Sequence, residues 1–401
     1  MIGVLRNSTY ARLFSAQIVA LLGTGLLTVA LGLLAFDIAG QDAGVVLGTA
    51  LTIKMVAYVA VSPVMAAMAT QWRRKAVLVS ADAVRAAVAL SLPWVSEAWQ
   101  IYVLIFALQA ASATFTPVFQ AVIPDVLPDE AQYTRALSLS RLAYDTESLL
   151  SPVLAAALLA IMSYNNLFLG TVLGFLASGA LVLVTEIPDG ARSEAASFRE
   201  RLTRGVRVML RTTELRSLLV MNLIVATSTA MVIVNTVVVV RGSLDRSESD
   251  VALLLAAFGA GSMLVALVVP RVLDKIADRP VMLTGSAIIP PALAASAAVI
   301  ALPAGSGQWA LLITLWAILG AATSLILTPS ARLLRRASDQ VSRPAVFAAQ
   351  FSLSHACFML TYPIAGVLGA MLGLPQTALI LSALGVLGAF GAFALWTRPV
   401  A

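Results

Sequence analysis

Residues 216–240 read RSLLVMNLIVATSTAMVIVNTVVVV. After the opening Arg216 no charged side chain interrupts the run until Arg241. At about 1.5 Å per residue, a helix of that length crosses the roughly 30 Å of bilayer hydrocarbon. A strand of a membrane barrel would alternate apolar and polar residues over about ten positions, and this stretch does not. It reads as a membrane helix. Working outward, runs of the same kind recur near 13–36, 44–69, 76–95, 99–123, 136–162 and 165–185 on one side. On the other side they recur near 250–270, 280–302, 308–328, 344–371 and 375–396. The expected fold class is an all-α polytopic membrane protein with twelve spans, the splits at 162–165 and 371–375 being the shortest.

Composition points the same way. Of 401 residues 60% are hydrophobic and 11% charged, with a mean hydropathy of +0.94, against about 45–50% apolar and about 25% charged in soluble domains. A soluble chain of this size leaves too much surface facing water to hide that much hydrocarbon. The isoelectric point of 9.8 does not signal nucleic acid, because the basic residues gather at one set of span ends. Arg6 and Arg12, Arg73 to Lys75 with Arg85, Arg135 and Arg141, Arg192 to Arg216, Arg271 to Arg279, Arg332 to Arg343 and Arg398 lie there. Only Arg241 and Arg246 lie opposite. The positive-inside rule then places both termini and the central loop in the cytoplasm, expected here to be that of a bacterium with the chain in its inner membrane. The first apolar run is too long for a cleavable signal peptide. The lone Cys357 excludes an intramolecular disulfide framework. No Walker loop, GxGxxG after a strand, HExxH or GxSxG occurs, so neither an enzyme nor a cofactor is expected.

The stretch 186–215, EIPDGARSEAASFRERLTRGVRVMLRTTEL, is the main break in composition and divides the chain into bundles at 1–185 and 216–401. From Ser197 it reads either as an amphipathic helix on the membrane face, with Phe198, Leu202, Val206 and Met209 on one side, or as a solvated linker. The halves echo one another at an offset of about 211 residues. Thr116-Pro117 answers Thr328-Pro329, and Ser151-Pro152 answers Tyr362-Pro363. Such internal repeats are typical of transporters that bind substrate near the bilayer midplane.

The six-plus-six arrangement, the basic central loop and the short basic loop between the second and third spans resemble the major facilitator superfamily. Segments such as SADAVRA and IPDVLPDEAQYTRALSLSRLAYDTESLLSP look like its bacterial export branch of siderophore, macrolide and nickel-resistance exporters, and the opening VLRNSTYARLFSAQIVALLGTGLLTVALGLLAFDIAG resembles the nickel-resistance members. The family's loop motif has a Gly and then an Asp where this chain has Ala66 and Thr70, leaving only Arg73, Arg74 and Lys75; Asp82 or Asp274 is the expected substitute. The histidine-rich tail of some nickel exporters is missing.

Ionisable groups inside a span are costly and therefore candidates for function. Lys54, Asp145, Glu147 and His355 are such groups, at comparable depth in the second, fifth and eleventh spans. The resemblance puts Lys54 and His355 on one seam and Asp145 with Tyr144 in a similar region. Asp145 is the first choice for a proton site, since a buried carboxylate titrates according to whether a cation faces it; a static ion pair with Lys54 is the alternative, and Arg141 at i−4 is another partner. His355 and Cys357, the only histidine and the only cysteine, form an H-x-C pair that suits nickel, zinc or copper if carboxylates complete it. The bland reading is that i and i+2 face different ways. The resemblance places Gln17, Thr24, Gln109, Asn222, Asn235 and Gln350 as cavity contacts, unless they bond between helices instead. Arg73, Arg74, Lys75, Asp82, Arg85 and Arg141 are expected to form a gating charge cluster, matched in the second half by a similar set, Asp274, Lys275, Asp278 and Arg279.

Together these imply a monomeric, proton-coupled exporter of small apolar or cationic molecules, its partners being a small-molecule or ion substrate, protons and the lipid bilayer. Divalent-metal efflux is the alternative within transport, and a non-transporting receptor or scaffold the alternative outside it.

Overall fold

The computed structural model describes residues 2–61, 73–188, 198–303, 305–338 and 343–396. Ala66 and Thr70 lie outside the described residues, as do the side chains of Arg141 and Asp145. Six long helices come first: α1 (Ser8–Ala39), α2 (Ala43–Val56), α3 (Arg74–Ser91), α4 (Ala98–Val126), α5 (Glu130–Leu159) and α6 (Asn165–Leu183). A shorter helix, α7 (Phe198–Arg211), stands in the linker. Six more follow: α8 (Thr213–Val237), α9 (Glu248–Leu273), α10 (Asp278–Ile300), α11 (Ser306–Arg336), α12 (Arg343–Leu372) and α13 (Leu374–Leu395). With α7 set aside, these are the twelve helices expected of the sequence.

Most spans are long and apolar enough to cross a bilayer by themselves, α1 and α2 running together as Ser8–Val61. Among the described residues of α5 the stretch Leu150–Leu159 is apolar, and Arg141, Asp145 and Glu147 precede it in the sequence. The helix starts follow local chemistry. Asn7 accepts from the Tyr10 amide at 3.0 Å, Asp129 from the Gln132 amide at 2.8 Å, and Ser247 with Asp250 closes a reciprocal capping box, which satisfies amides that a helix leaves unpaired in its first turn. Between α12 and α13 a single residue, Gly373, turns the chain with φ +89°, a conformation that costs glycine nothing.

The chain forms two compact units, Met1–Ile38 with Val56–Ala195, and Ala39–Met55 with Ala196–Ala401. In the first, α3 packs on α4 and α6. There α1 crosses α6 closely, Thr171 Oγ1 donating to the Gly23 carbonyl at 2.8 Å. In the second, α9 packs on α11, α10 on α11 and α13, and α8 on α12 and α13.

Most of α2 belongs to the second unit. The helix leaves that unit at Met55, and a π-helical turn, Ala57–Val61, follows directly. Gly44 and Gly48 of α2 press against Gly366 of α12; a Cβ on Gly48 would stand 2.7 Å from the Tyr362 carbonyl oxygen. Small residues let helix backbones approach in this way where lipid supplies no hydrophobic drive. The linker helix α7 packs on α12 and α8, with Met209 wholly buried. Its Met209 side therefore meets protein.

Replacing Gly48 by Leu is expected to destabilise the protein by about 1–3 kcal/mol, the usual cost of overpacking. Gly307→Ala, with open space around the added carbon, should leave the melting temperature unchanged or slightly raised. Thermal unfolding of both variants in detergent is the check.

Candidate functional site

In the first unit the ionisable residues of α3 separate into two places. Arg74, the first residue of α3, pairs with Asp125 near the end of α4. Asp82, about 12 Å further along the helix at 1.5 Å per residue, pairs instead with Arg85. That pair is buried, Asp82 at 1% and Arg85 at 5% exposure. Ser178 of α6 donates to Asp82 Oδ2 at 2.8 Å, and the Arg85 guanidinium lies between the rings of Phe115 (4.3 Å) and Phe175 (4.6 Å). The residues expected as a single cluster from Arg73 to Arg85 therefore fall in two places, since eight residues of helix separate Arg74 from Asp82. Arg73 is exposed and Lys75 half-buried. Phe115 is a buried support for Arg85.

The corresponding carboxylate of the second unit is Asp278, the first residue of α10 and 4% exposed. It meets Arg332 at 3.3 Å and Arg336 at 3.1 Å, both in the last turns of α11. Asp274 and Lys275, expected in this role, are exposed; Asp274 merely ends α9. The two interhelix pairs have opposite polarity. Asp278 at a helix start and Arg336 at a helix end agree with the helix dipoles, whereas Arg74 at a start and Asp125 at an end oppose them.

Among the expected cavity residues, Gln17 of α1 accepts from Ser140 of α5 at 3.0 Å and is also hydrogen-bonded to Tyr144. Tyr144 is 41% exposed, so this cluster presents an aromatic face and a hydroxyl. Glu147, one turn on, packs with Ser151 against Gly25 of α1, where no side chain would fit. Gln109 is buried, and Thr24 turns back to the Ala20 carbonyl at 2.9 Å.

In the second unit Asn222 of α8 and Gln350 of α12 exchange two amide hydrogen bonds, both 3.2 Å. Asn235 is fully buried, donates to the Ala365 carbonyl at 3.2 Å and faces Gly44 and Gly369; it joins helices rather than lining a cavity. From Gln350 onward α12 carries a ladder of rings. Phe351 and His355 are 4.1 Å apart, His355 and Phe358 6.3 Å, Phe358 and Tyr362 5.2 Å. Spacings of three and four residues put all four on one helix face.

His355 Nδ1 lies 2.7 Å from the Phe351 carbonyl, and Lys54 is near enough to act on the ring electrostatically. The Cys357 thiol is directed at the Leu353 carbonyl, 3.5 Å away. Among the described residues no group of three or more His, Cys, Asp or Glu is placed to hold a metal. Asp145, on which the metal reading also drew, lies outside them.

Sequence reasoning missed Ser178, Asp125, Arg332 and Arg336 as partners of the charged residues. Their only signal was position, each lying where a neighbouring helix reaches the same depth.

Long apolar helices in two compact units, with charge pairs inside them and at their ends, define a polytopic membrane protein. The sequence model of the Major Facilitator Superfamily matches residues 13–240 and 218–401, and the chain belongs to that family. It is therefore a multi-pass membrane protein of a transporter family. Similar relatives include macrolide efflux protein A of Enterococcus faecalis, 26% identical over 160 residues (38% of this chain, 49% of the relative). Another is the uncharacterized MFS-type transporter YfiS of Bacillus subtilis (strain 168), 24% identical over 222 residues (53% and 52%). The chain thus spans about half the length of the curated relatives it matches. Among solved structures, the nucleoside transporter NupG superposes with a TM-score of 0.75 at 12% identity, covering 97% of this chain and 99% of that one. A bacterial homolog of the human lysosomal transporter Spinster gives 0.76 at 13%, covering 97% and 96%. At such identities the likeness is one of fold.

Removing one member of the buried pair, as in Asp82→Ala, leaves Arg85 charged and unmatched and is expected to cost about 3–5 kcal/mol. The double variant Asp82→Leu, Arg85→Met should recover most of that loss. Melting temperatures of the purified variants decide it: equal losses in the single and double variants would show that the two residues do not act as a pair.

Proposed function

We propose that this transporter is a proton-coupled exporter of small apolar or cationic molecules. It works by alternating access, as a monomer in a bacterial inner membrane, with both termini and the linker cytoplasmic and with bundles at 1–185 and 216–401. The observation that carries export is the similarity to macrolide efflux protein A in the first place, shared by the Enterococcus faecalis and Streptococcus pyogenes proteins. The side chains are in keeping with such a cargo. Tyr144 in one unit and the Phe351, His355 and Phe358 ladder in the other offer ring faces, which attract both apolar surface and cations.

Asp145 is our choice for the coupling proton, with Glu147, Lys54 and His355 as the other ionisable groups inside the spans. A carboxylate there is neutral when no cation faces it and ionised when one does. Alternation between those settings is sufficient to exchange a proton for cargo, because a transporter responds only to differences in binding between its states. The Asp82–Arg85 and Asp278–Arg332–Arg336 groups are assigned to holding the helices rather than to cargo.

Proteoliposomes with an imposed pH gradient, offered a fluorescent macrolide-like cation and nickel in parallel, test the reading. The unsubstituted protein should move the organic cation and not the metal. Asp145→Asn should reduce gradient-driven flux by at least about tenfold while leaving exchange of cargo against cargo in place, the rate change expected when proton transfer is lost. Undiminished gradient-driven flux in Asp145→Asn would sink the coupling assignment. Nickel transport lost in a His355→Ala, Cys357→Ala double variant would favour metal efflux instead.

A further inference from the structure

The outer side of α10 carries a furrow of about 640 Å³, bounded by α11 and α13 and lying wholly within the second unit, a volume within the range of small-molecule sites. Its floor is small: Thr284, Ala287 and Pro291, at i, i+3 and i+7, are all exposed. Its walls are large: Ile318 of α11 is 38% exposed and Phe393 of α13 is 45% exposed.

The sequence explains why α10 is recessed here. Pro290 and Pro291 have no N–H, so the carbonyls of Ser286 and Ala287 lose their helical partners. On the inner side α13 closes on this break. Ser382 donates to the Pro290 carbonyl at 2.7 Å, and a Cβ on Gly385 would stand 3.2 Å from the Pro290 ring. On the outer side Thr284, Ala287 and Pro291 stay exposed between the larger Leu283 and Ile288.

One end of the furrow is cationic. Arg279, second residue of α10, donates through Nε to the Trp396 carbonyl at 3.0 Å. Among the described residues no carboxylate stands within ion-pairing distance of it. From Arg279 to Ala292, both on the lining, α10 rises about 20 Å. One leaflet of hydrocarbon is about 15 Å deep, half of the roughly 30 Å core. The furrow therefore reaches from the level of a lipid phosphate to near the bilayer centre.

We infer that this furrow binds one anionic phospholipid, its phosphate at Arg279 and one acyl chain over Thr284, Ala287 and Pro291. The charge at one end, the apolar walls along the rest and the depth of a single leaflet together select that ligand over a soluble anion or an uncharged lipid. Assigning it to the inner leaflet rests on the orientation proposed above; the binding does not.

Native mass spectrometry of the full chain in neutral detergent tests this, with phosphatidylglycerol and phosphatidylcholine of matched chains and with glycerol 3-phosphate. One phosphatidylglycerol should bind per chain about tenfold more tightly than phosphatidylcholine, because both offer Arg279 a phosphate but the choline cation of the latter repels the guanidinium, and glycerol 3-phosphate should not bind. Arg279→Gln should abolish the preference, Arg279→Lys should keep it, and Ala287→Leu should weaken both lipids by filling the floor. Melting temperatures without lipid identify any variant that has not folded. A preference that survives Arg279→Gln would overturn the proposal. So would a chain that dimerises through this face, with Ala287→Leu giving monomers and no change in lipid. Labelling that places Arg279 outside the cell would move the lipid to the other leaflet and reject the orientation alone.

Discussion

Inside a bilayer no water is present to complete an unpaired hydrogen bond, and this shapes the whole molecule. It forces the backbone into helices, whose amides and carbonyls are satisfied within the segment. It also sets how helices meet, because hydrocarbon outside is as apolar as hydrocarbon between them and burial alone favours neither. Close approach must do the work. Gly23 and Gly174 between α1 and α6, Gly261 and Gly320 between α9 and α11, and Gly44, Gly48 and Gly366 between α2 and α12 are the positions where backbones touch. Side-chain hydrogen bonds supplement these crossings, as Thr171 does for the first, while beside the last Asn235 ties α8 to α12.

The same scarcity of water governs the charges. A carboxylate in such surroundings is held only where its lone pairs are answered. Asp82 has Arg85 and Ser178, and Arg85 in turn has a ring on each side. Asp278 instead has two arginines, each of them partly exposed at the end of α11, and it profits from the start of α10. A pair deep in the bundle is thus enclosed by aromatic rings, and a pair at the bundle's end borrows the helix dipole and the nearby water.

Much of the fold was legible because run length and composition report directly on the membrane. The twelve spans were readable from run length, whereas the helix from Phe198 was one of two readings of its charged stretch. What α7 rests on was not legible, since a face containing Met209 suits lipid and protein equally well. The site was legible only in part. Arg74, Asp82 and Arg85 stood out as charges in an apolar chain, but spacing along one helix cannot say which charge meets Asp125 on another. Asp274 and Asp278 stood out in one charged loop, and only the packing of α10 against α11 separates the carboxylate that is paired from the one that is exposed. Asn222 and Gln350 lie 128 residues apart, and nothing local in either segment announces their pairing.

The reversed polarity of the two end pairs bears on how a duplicated chain assembles correctly. The two halves have the same succession of helices and similar apolar surfaces, so during insertion α3 has a near equivalent of its proper partner α4 in α11. That wrong pairing would set Arg74 against Arg332 and Arg336. The reciprocal error, α10 on α4, would set Asp278 against Asp125. Each helix is attracted by the partner from its own half and repelled by the counterpart from the other, a discrimination that two pairs of the same polarity could not supply. The inversion of one salt bridge therefore makes either crossed pairing electrostatically unfavourable, where two pairs of one polarity would have made it favourable.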